Sequence, residues 1–388
     1  MNGRGVIMAA GALTAAATLV AGAAASSEAT GAGSYRVVGK WGKTGAGNGQ
    51  FGGNAFGLAT DKSGRVYVAD SDNRRIQIFS SKGAFQGKIA FGDSVVPDVA
   101  VDADGNVWGT TDTGAQARQF TRDGRPLGSI TTPKVAAGIG ADAGGNIYVT
   151  THGDAVQLLV RYDKAGSYAQ GKSWGGFQVP SDVEISSDGT VWVSDNRALN
   201  VKRFDANGKL LKTIKAGPSA PLGIGVDLDC NAWVTNIAQR RLDKLSPSGR
   251  LLGTATAPDL IAQDVAVGPT GDLYAYDSGT RSVIRFAEDR SKPATATIPG
   301  TLTAAGGVVK IAYTLSGIAC PAVVGATATL TGPGIAGKAA GLKLKAGAKN
   351  TITMKLSKAA SGRAAFKVVL KTNGRATTET RTVSLVSR

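Results

Sequence analysis

The chain has 388 residues, 54 of them glycine, with one histidine, two cysteines and a formal net charge of +16. That length admits two or three domains and at least one sizeable core. Two cysteines exclude a disulfide framework, no run has zinc-ligand spacing, and the glycine content points to short strands joined by tight turns.

Taken in chain order, the first element is an export signal. Arg4 gives a positive start, residues 6–20 form an uncharged stretch of small apolar side chains, and Ala23, Ala24 and Ala25 suit a signal peptidase. The expectation is a signal peptide over residues 1–25 and a secreted or extracytoplasmic mature protein. The stretch is short and Ala/Thr-rich for a spanning helix, and no other segment could cross a bilayer.

A repeat follows. From Gly57 the chain reads Gly-Leu-Ala-Thr-Asp61, a turn at Gly64, Val66-Tyr67-Val68-Ala69-Asp70, then Asn73-Arg74-Arg75-Ile76-Gln77-Ile78-Phe79. Five further copies start at Asp98, Gly138, Asp182, Gly223 and Asp264. The turn position steps through Gly64, Gly105, Gly145, Gly189, Cys230 and Gly271, at intervals of 41, 40, 44, 41 and 41 residues. Each copy holds three alternating runs and a fourth after another turn glycine, which is one four-stranded propeller blade. The sixth copy lacks its fourth strand after Phe286. Gly33-Ser34-Tyr35 with Trp41 echoes Gly166-Ser167-Tyr168 with Trp174, so residues 34–41 are predicted to complete blade six and close the ring. The fold class predicted is all-β: a six-bladed propeller over residues 33–290, then a small β-sandwich over 291–388.

The string from Gly57 to Phe79 resembles an NHL repeat, with Val-Tyr-Val-Ala-Asp, Asn-Arg-Arg-Ile and Ile-Phe in place. The resemblance implies a ring used as a binding platform or, in some relatives, as a lyase or lactonase; a fold alone does not choose between these.

Inner strands line the channel of a propeller. Their first positions are Gly57, Asp98, Gly138, Asp182, Gly223 and Asp264, so three aspartates alternate with glycines. Two residues on come Ala59, Ala100, Gly140, Glu184, Gly225 and Ala266, a single carboxylate among small residues. One reading is a hard cation such as Ca²⁺ held by Asp98, Asp182 and Asp264, with Glu184 and water; the plainer one has each aspartate bonding backbone amides. NHL-like lyases place a cation near this point. A second series, Asp61, Asp102, Asp142 and Asp227, precedes the turns and reads as structural.

His152, at the loop between second and third strands of its copy, is a candidate general base on the same face as the aspartates. Amidating lyases that the chain resembles hold a metal with several histidines, which one histidine cannot supply. Streptogramin-type lyases use a histidine and a metal-binding glutamate, and gluconolactonase-like propellers a central metal held by Glu, Asn and Asp; the local sequence here matches neither. Arg74, Arg75, Arg197, Arg240, Arg241 and Arg281 collect on the same loops and form a candidate ligand face. Some NHL propellers bind RNA through such a surface, but an exported protein meets little nucleic acid, so an anionic glycan is the better match. No nucleophile elbow or phosphate-binding glycine loop is present.

The last segment differs from the rest. Residues 26–290 hold 29 Lys/Arg against 27 acids, whereas residues 291–388 hold 14 against one, Glu379. Short alternating runs from Val308 to Val386 resemble an immunoglobulin-like sandwich of six or seven strands. Such charge suits anionic envelope polymers in a salt-dependent way. Cys230 and Cys320 fall in different units and either pair or stay as thiols. Two functions stand: a secreted or cell-envelope binding or scaffold protein, which the single histidine and absent catalytic motifs favour, and a metal-dependent lyase or lactonase at the channel mouth. The partners expected are an anionic envelope polymer, a glycan or another protein.

Overall fold

The computed structural model describes residues 35–53, 56–153, 157–217 and 219–288, and beyond these the strands named below. The export signal expected over residues 1–25 lies outside them. Among the described residues no helix is long and apolar enough to cross a membrane.

Alternating runs separated by turn residues fold as the repeat predicts. β1 (Tyr35–Trp41) comes first. Blade 1 contains β2 (Leu58–Thr60), β3 (Val66–Asp70), β4 (Arg75–Phe79) and β5 (Phe85–Ala90); blade 2 contains β6 (Val99–Val101), β7 (Val107–Thr110), β8 (Gln116–Phe120) and β9 (Pro126–Thr131). Blade 3 is β10 (Val135–Ala141), β11 (Ile147–His152), β12 (Leu158–Asp163) and β13 (Ala169–Trp174). Blade 4 is β14 (Pro180–Ile185), β15 (Val191–Asp195), β16 (Asn200–Phe204) and β17 (Leu210–Lys215). Blade 5 is β18 (Ile224–Val226), β19 (Ala232–Asn236), β20 (Arg241–Leu245) and β21 (Leu251–Thr256). Blade 6 takes β22 (Ala262–Val267), β23 (Leu273–Asp277) and β24 (Ser282–Glu288), and β1 pairs antiparallel on β24 as its outer strand. The inner strands neighbour one another in the cycle β2, β6, β10, β14, β18, β22 and back to β2, so the protein is a closed six-bladed propeller.

The turn between first and second strands shows why the repeat keeps an aspartate three residues before its glycine. Asp61 Oδ1 accepts the N–H groups of Ser63 and Arg65, while its Oδ2 takes the Arg65 guanidinium and the Tyr67 hydroxyl. Asp102, Asp142 and Asp227 make the same main-chain bonds in their blades. The residue closing the turn has φ near +80° at Gly64, Gly105, Gly145, Gly189 and Gly271. Cys230 adopts φ +57° at that position, is fully buried and takes part in a disulfide. The chain's other cysteine is Cys320, outside the described residues.

The core sits between blades. At the equivalent position of its second strand each blade carries an aromatic side chain, in turn Tyr67, Trp108, Tyr148, Trp192, Trp233 and Tyr274, each buried against the following blade. Burying six such rings between sheets contributes roughly 2–3 kcal/mol each to the cohesion of the ring. The sequence echo has a physical basis here. Tyr168 meets Trp108 of the preceding blade edge-on (4.9 Å between centroids), and Trp174 stacks on Tyr148 of its own blade. At the closure Tyr35 meets Trp233 of the preceding blade at 4.6 Å, and Trp41 meets Tyr274 of its own. The N-terminal strand thus repeats the contacts of an ordinary fourth strand.

Beyond the propeller, eight strands are hydrogen-bonded into one network: β25 (Ala296–Thr297), β26 (Thr301–Ala305), β27 (Val308–Leu315), β28 (Val323–Gly332), β29 (Ile335–Lys345), β30 (Lys349–Lys355), β31 (Gly362–Thr372) and β32 (Arg375–Ser387). Their order is β25-β27-β26-β32-β31-β28-β29, with β30 paired to β27 and β26 parallel to β32.

Candidate functional site in the central channel

Six inner strands enclose a cavity of about 60 Å³, lined by Asp98, Asp182 and Glu184 among small and branched apolar residues. That volume admits a few water molecules or one small ion.

The three aspartates form a ring that stitches blades together. Asp98 accepts the N–H of Val99 on its own strand and of Ile139 in blade 3, both at 2.7 Å. Asp182 accepts from Val183 at 2.6 Å and from Ile224 in blade 5 at 2.8 Å. Asp264 accepts from Val265 at 2.7 Å and from Leu58 in blade 1 at 2.6 Å. Each carboxyl therefore joins its own blade to the next. The alternation with glycine follows from the same geometry. A Cβ at Gly57, Gly138 or Gly223 would fall 2.5, 2.5 and 2.4 Å from the Cα of Asp98, Asp182 and Asp264. No side chain fits there.

Burial dominates the electrostatics of the ring. It holds Asp98 and Asp264 well above the ordinary carboxyl range, and the neighbouring Asp182 charge adds to the effect. Burial also lifts Asp182, though only to about 6, because main-chain N–H groups and hydrogen bonds from Asp264 and Asp98 favour its charged form. The three coupled carboxyls therefore titrate as a unit rather than one by one.

Glu184 stands two residues further down the channel, with Ala59, Ala100, Gly225 and Ala266 around the same cavity. Burial, with a smaller contribution from the Asp182 charge, pushes its carboxyl up to about 8. It is protonated at neutral pH and faces the cavity, so it can donate a proton or a hydrogen bond to whatever occupies that space.

The donor set does not fit the Ca²⁺ centre that the sequence suggested at Asp98, Asp182, Asp264 and Glu184. A hard cation needs several oxygen ligands free to turn toward it. All six oxygens of the aspartate ring face main-chain N–H groups, and Glu184 is set apart from them along the strand. Among the described residues no group of three or more His, Cys, Asp or Glu side chains has an arrangement that could hold a metal ion.

His152 ends β11, opposite Val135, one strand out from the channel-lining β10. It is half-buried, and burial lowers its imidazole below the usual value, so it is neutral at pH 7. The arginines separate into two groups. Arg75 departs from the expected ligand face: it is buried, bonded to Asp70 at 2.8 Å, and donates to the carbonyls of Ala46, Gly47 and Gln50. It anchors the loop that follows the closing strand. Arg74, Arg240 and Arg281 occupy positive-φ turn positions on the loops that also carry Arg197. Arg74 lies 3.9 Å from Asp93, Arg240 pairs with Asp259, Arg241 with Asp243, and Arg281 donates to Thr44. Local acids thus neutralise much of this face, which a count of arginines alone does not show.

The sequence missed the cross-blade partners of the aspartates. The visible signal was the strict Asp/Gly alternation, which in a ring means that each aspartate occupies the side-chain space of the preceding blade's position.

The model of the SMP-30/Gluconolactonase/LRE-like region matches residues 5–153. No curated protein sequence matches the chain. Among solved structures, a presumed gluconolactonase superimposes with a TM-score of 0.51 at 14% identity, covering 66% of this chain and 92% of that one. A streptogramin B lyase gives 0.49 at 12% identity over 66% and 98% of the two chains. Virginiamycin B lyase from Staphylococcus aureus gives 0.47 at 17% identity over 72% and 96%. At 14% identity the likeness to the presumed gluconolactonase is one of fold alone.

Proposed function

We propose that the protein is a binding protein of the cell exterior, in which the basic C-terminal region holds an anionic envelope polymer and the propeller presents its loop face to a second ligand or partner. Charge segregation carries this reading: 14 bases against one acid over residues 291–388, beside a nearly neutral propeller. Electrostatic capture of a polyanion is long-ranged and salt-sensitive. In this reading residues 1–25 are the export signal, residues 33–290 an NHL-like propeller and residues 291–388 an immunoglobulin-like sandwich. The test is co-sedimentation of the mature protein with envelope preparations across 50–500 mM salt, before and after removal of their anionic polymers. Binding that persists unchanged after removal would refute it.

A second reading is enzymatic, and the matched gluconolactonase-region model supports it more than the first. Its structural support is Glu184, a protonated carboxyl facing the channel without the backbone partners of the aspartates. In it Glu184 is the acid that acts on a lactone or cyclic ester bound at the mouth. Turnover of a lactone or depsipeptide panel, lost in Glu184→Gln, would replace the binding reading. Glu184→Gln retaining full turnover would remove Glu184 from the chemistry.

A further inference from the structure

Register in the C-terminal network aligns five of its fourteen bases along two neighbouring tracks. β28 lies between β29 and β31, and β32 lies outside β31. On β28, Ala328 and Leu330 are buried while Thr331 is exposed and Thr329 half-buried, so positions 325, 327, 329 and 331 belong to the outer face. The Cα partners of that face are decisive. On the β29 side Thr329 is opposite Lys338, Gly325 opposite Lys343, and Val323 opposite Lys345; Lys338 is exposed. On the β31 side Thr329 is opposite Lys367 and Gly325 opposite Lys371.

Five lysine positions therefore form two rails, one on each side of β28. Between them β28 contributes Val323, Gly325, Thr327, Thr329 and Thr331 to the face, which are small or hydroxyl-bearing residues. Strands lie about 4.8 Å apart, so the rails are roughly 10 Å apart, and β28 supplies a track of roughly 30 Å. The region's acid, Glu379, pairs with Val368, which is opposite the buried Ala328; its row belongs to the other face. The outer face thus combines cationic positions with hydroxyls and has no acidic position on these four strands.

We infer that this face is the docking track for a linear anionic polysaccharide running along β28. The inference deepens the binding function proposed above and rests on it. Three features select this occupant. Two parallel rows of charge match a chain with anionic groups on both sides, and the threonine positions between them can exchange hydrogen bonds with sugar hydroxyls. Lysine ammonium groups act as mobile point charges and tolerate the irregular spacing of a flexible polymer. The track also lacks the aromatic and long aliphatic residues with which a protein anchors in a lipid interface.

The experiment uses the full mature chain and polygalacturonate as the probe, with affinity measured from 50 to 300 mM salt. A rail variant replaces Lys338, Lys343, Lys345, Lys367 and Lys371 by Gln. A control replaces five other bases of the same region, Lys292, Lys310, Lys349, Lys355 and Lys358, by Gln. Thermal unfolding checks that both retain the wild-type transition. The expected result is a loss of tenfold or more for the rail variant with a shallower salt dependence, and a change within about threefold for the control. Equal losses in both variants would overturn the track while leaving a general electrostatic function in place. No binding by the wild-type chain would overturn the binding function itself. Tighter, rail-dependent binding to duplex DNA or to anionic phospholipid vesicles than to polygalacturonate would overturn the assignment of the occupant.

Discussion

Replacing Glu184 by Gln tests the channel electrostatics directly. Burial raises this carboxyl from 4.5 to about 8, so the folded protein holds a proton that the unfolded chain releases near pH 4.5. The stabilisation linked to that proton is complete below about pH 4.5 and is lost as pH rises through 8. A shift of this size corresponds to roughly 2–5 kcal/mol once the water-accessible cavity and the coupling to Asp182 are allowed for. Gln keeps the shape and never ionises, so the variant and wild type should agree near pH 4.5, diverge progressively as pH rises to about 8, and keep a constant difference above that. At pH 9 the variant should melt higher by roughly 5–15 °C, given about 2–4 °C per kcal/mol for a domain of this size. All five tryptophans, Trp41, Trp108, Trp174, Trp192 and Trp233, lie in the propeller, so tryptophan fluorescence reports its unfolding alone. The aspartates are present in both proteins, so their titration cancels apart from its coupling to Glu184. Parallel melting curves from pH 5 to 9, or a less stable variant at pH 9, would refute the account of a buried, protonated Glu184.

Three further expectations concern the ring and its closure. Gly223→Ala drives a Cβ to 2.4 Å from the Asp264 Cα and should cost more than about 3 kcal/mol, whereas Gly87→Ala, with no atom within 4 Å, should cost less than about 1 kcal/mol; urea denaturation distinguishes them. Trp41→Ala removes the ring that joins the closing strand to Tyr274 and should lower stability by about 2–4 kcal/mol, with limited proteolysis then releasing the segment before residue 42 first. Non-reducing peptide mapping should recover Cys230 linked to Cys320, the other cysteine of the chain; a free thiol at Cys230 in oxidised protein would contradict the disulfide found there.

Much of this molecule was legible in one dimension. A repeat of about 41 residues fixes the strand count per blade, because alternation and turn chemistry are local properties. The closing strand was also readable, since Tyr35 and Trp41 must supply the same aromatic contacts as Tyr168 and Trp174. Even the position of the channel carboxylates follows from aligning six copies. The sequence could not say where the carboxylate oxygens point. Asp98 and Asp264 look equally suited to a cation or to backbone amides until Ile139 and Leu58 are placed beside them by ring closure. Arg75 likewise belongs to a cationic loop in sequence and to a buried anchor in space, because its partners are carbonyls about 25–29 residues away.

The division has a physical reason. Strand, turn and repeat are determined by each residue's neighbours along the chain, so the sequence alone settled the six blades, the turn aspartates and the segregation of charge into the C-terminal region. The protonation of Glu184, the stitching of blades by three aspartates and the alignment of lysines beside β28 depend on groups from distant segments sharing a dielectric or a register. Only tertiary structure brings those groups together, and only there do burial and long-range pairing decide what a carboxylate or a lysine can do.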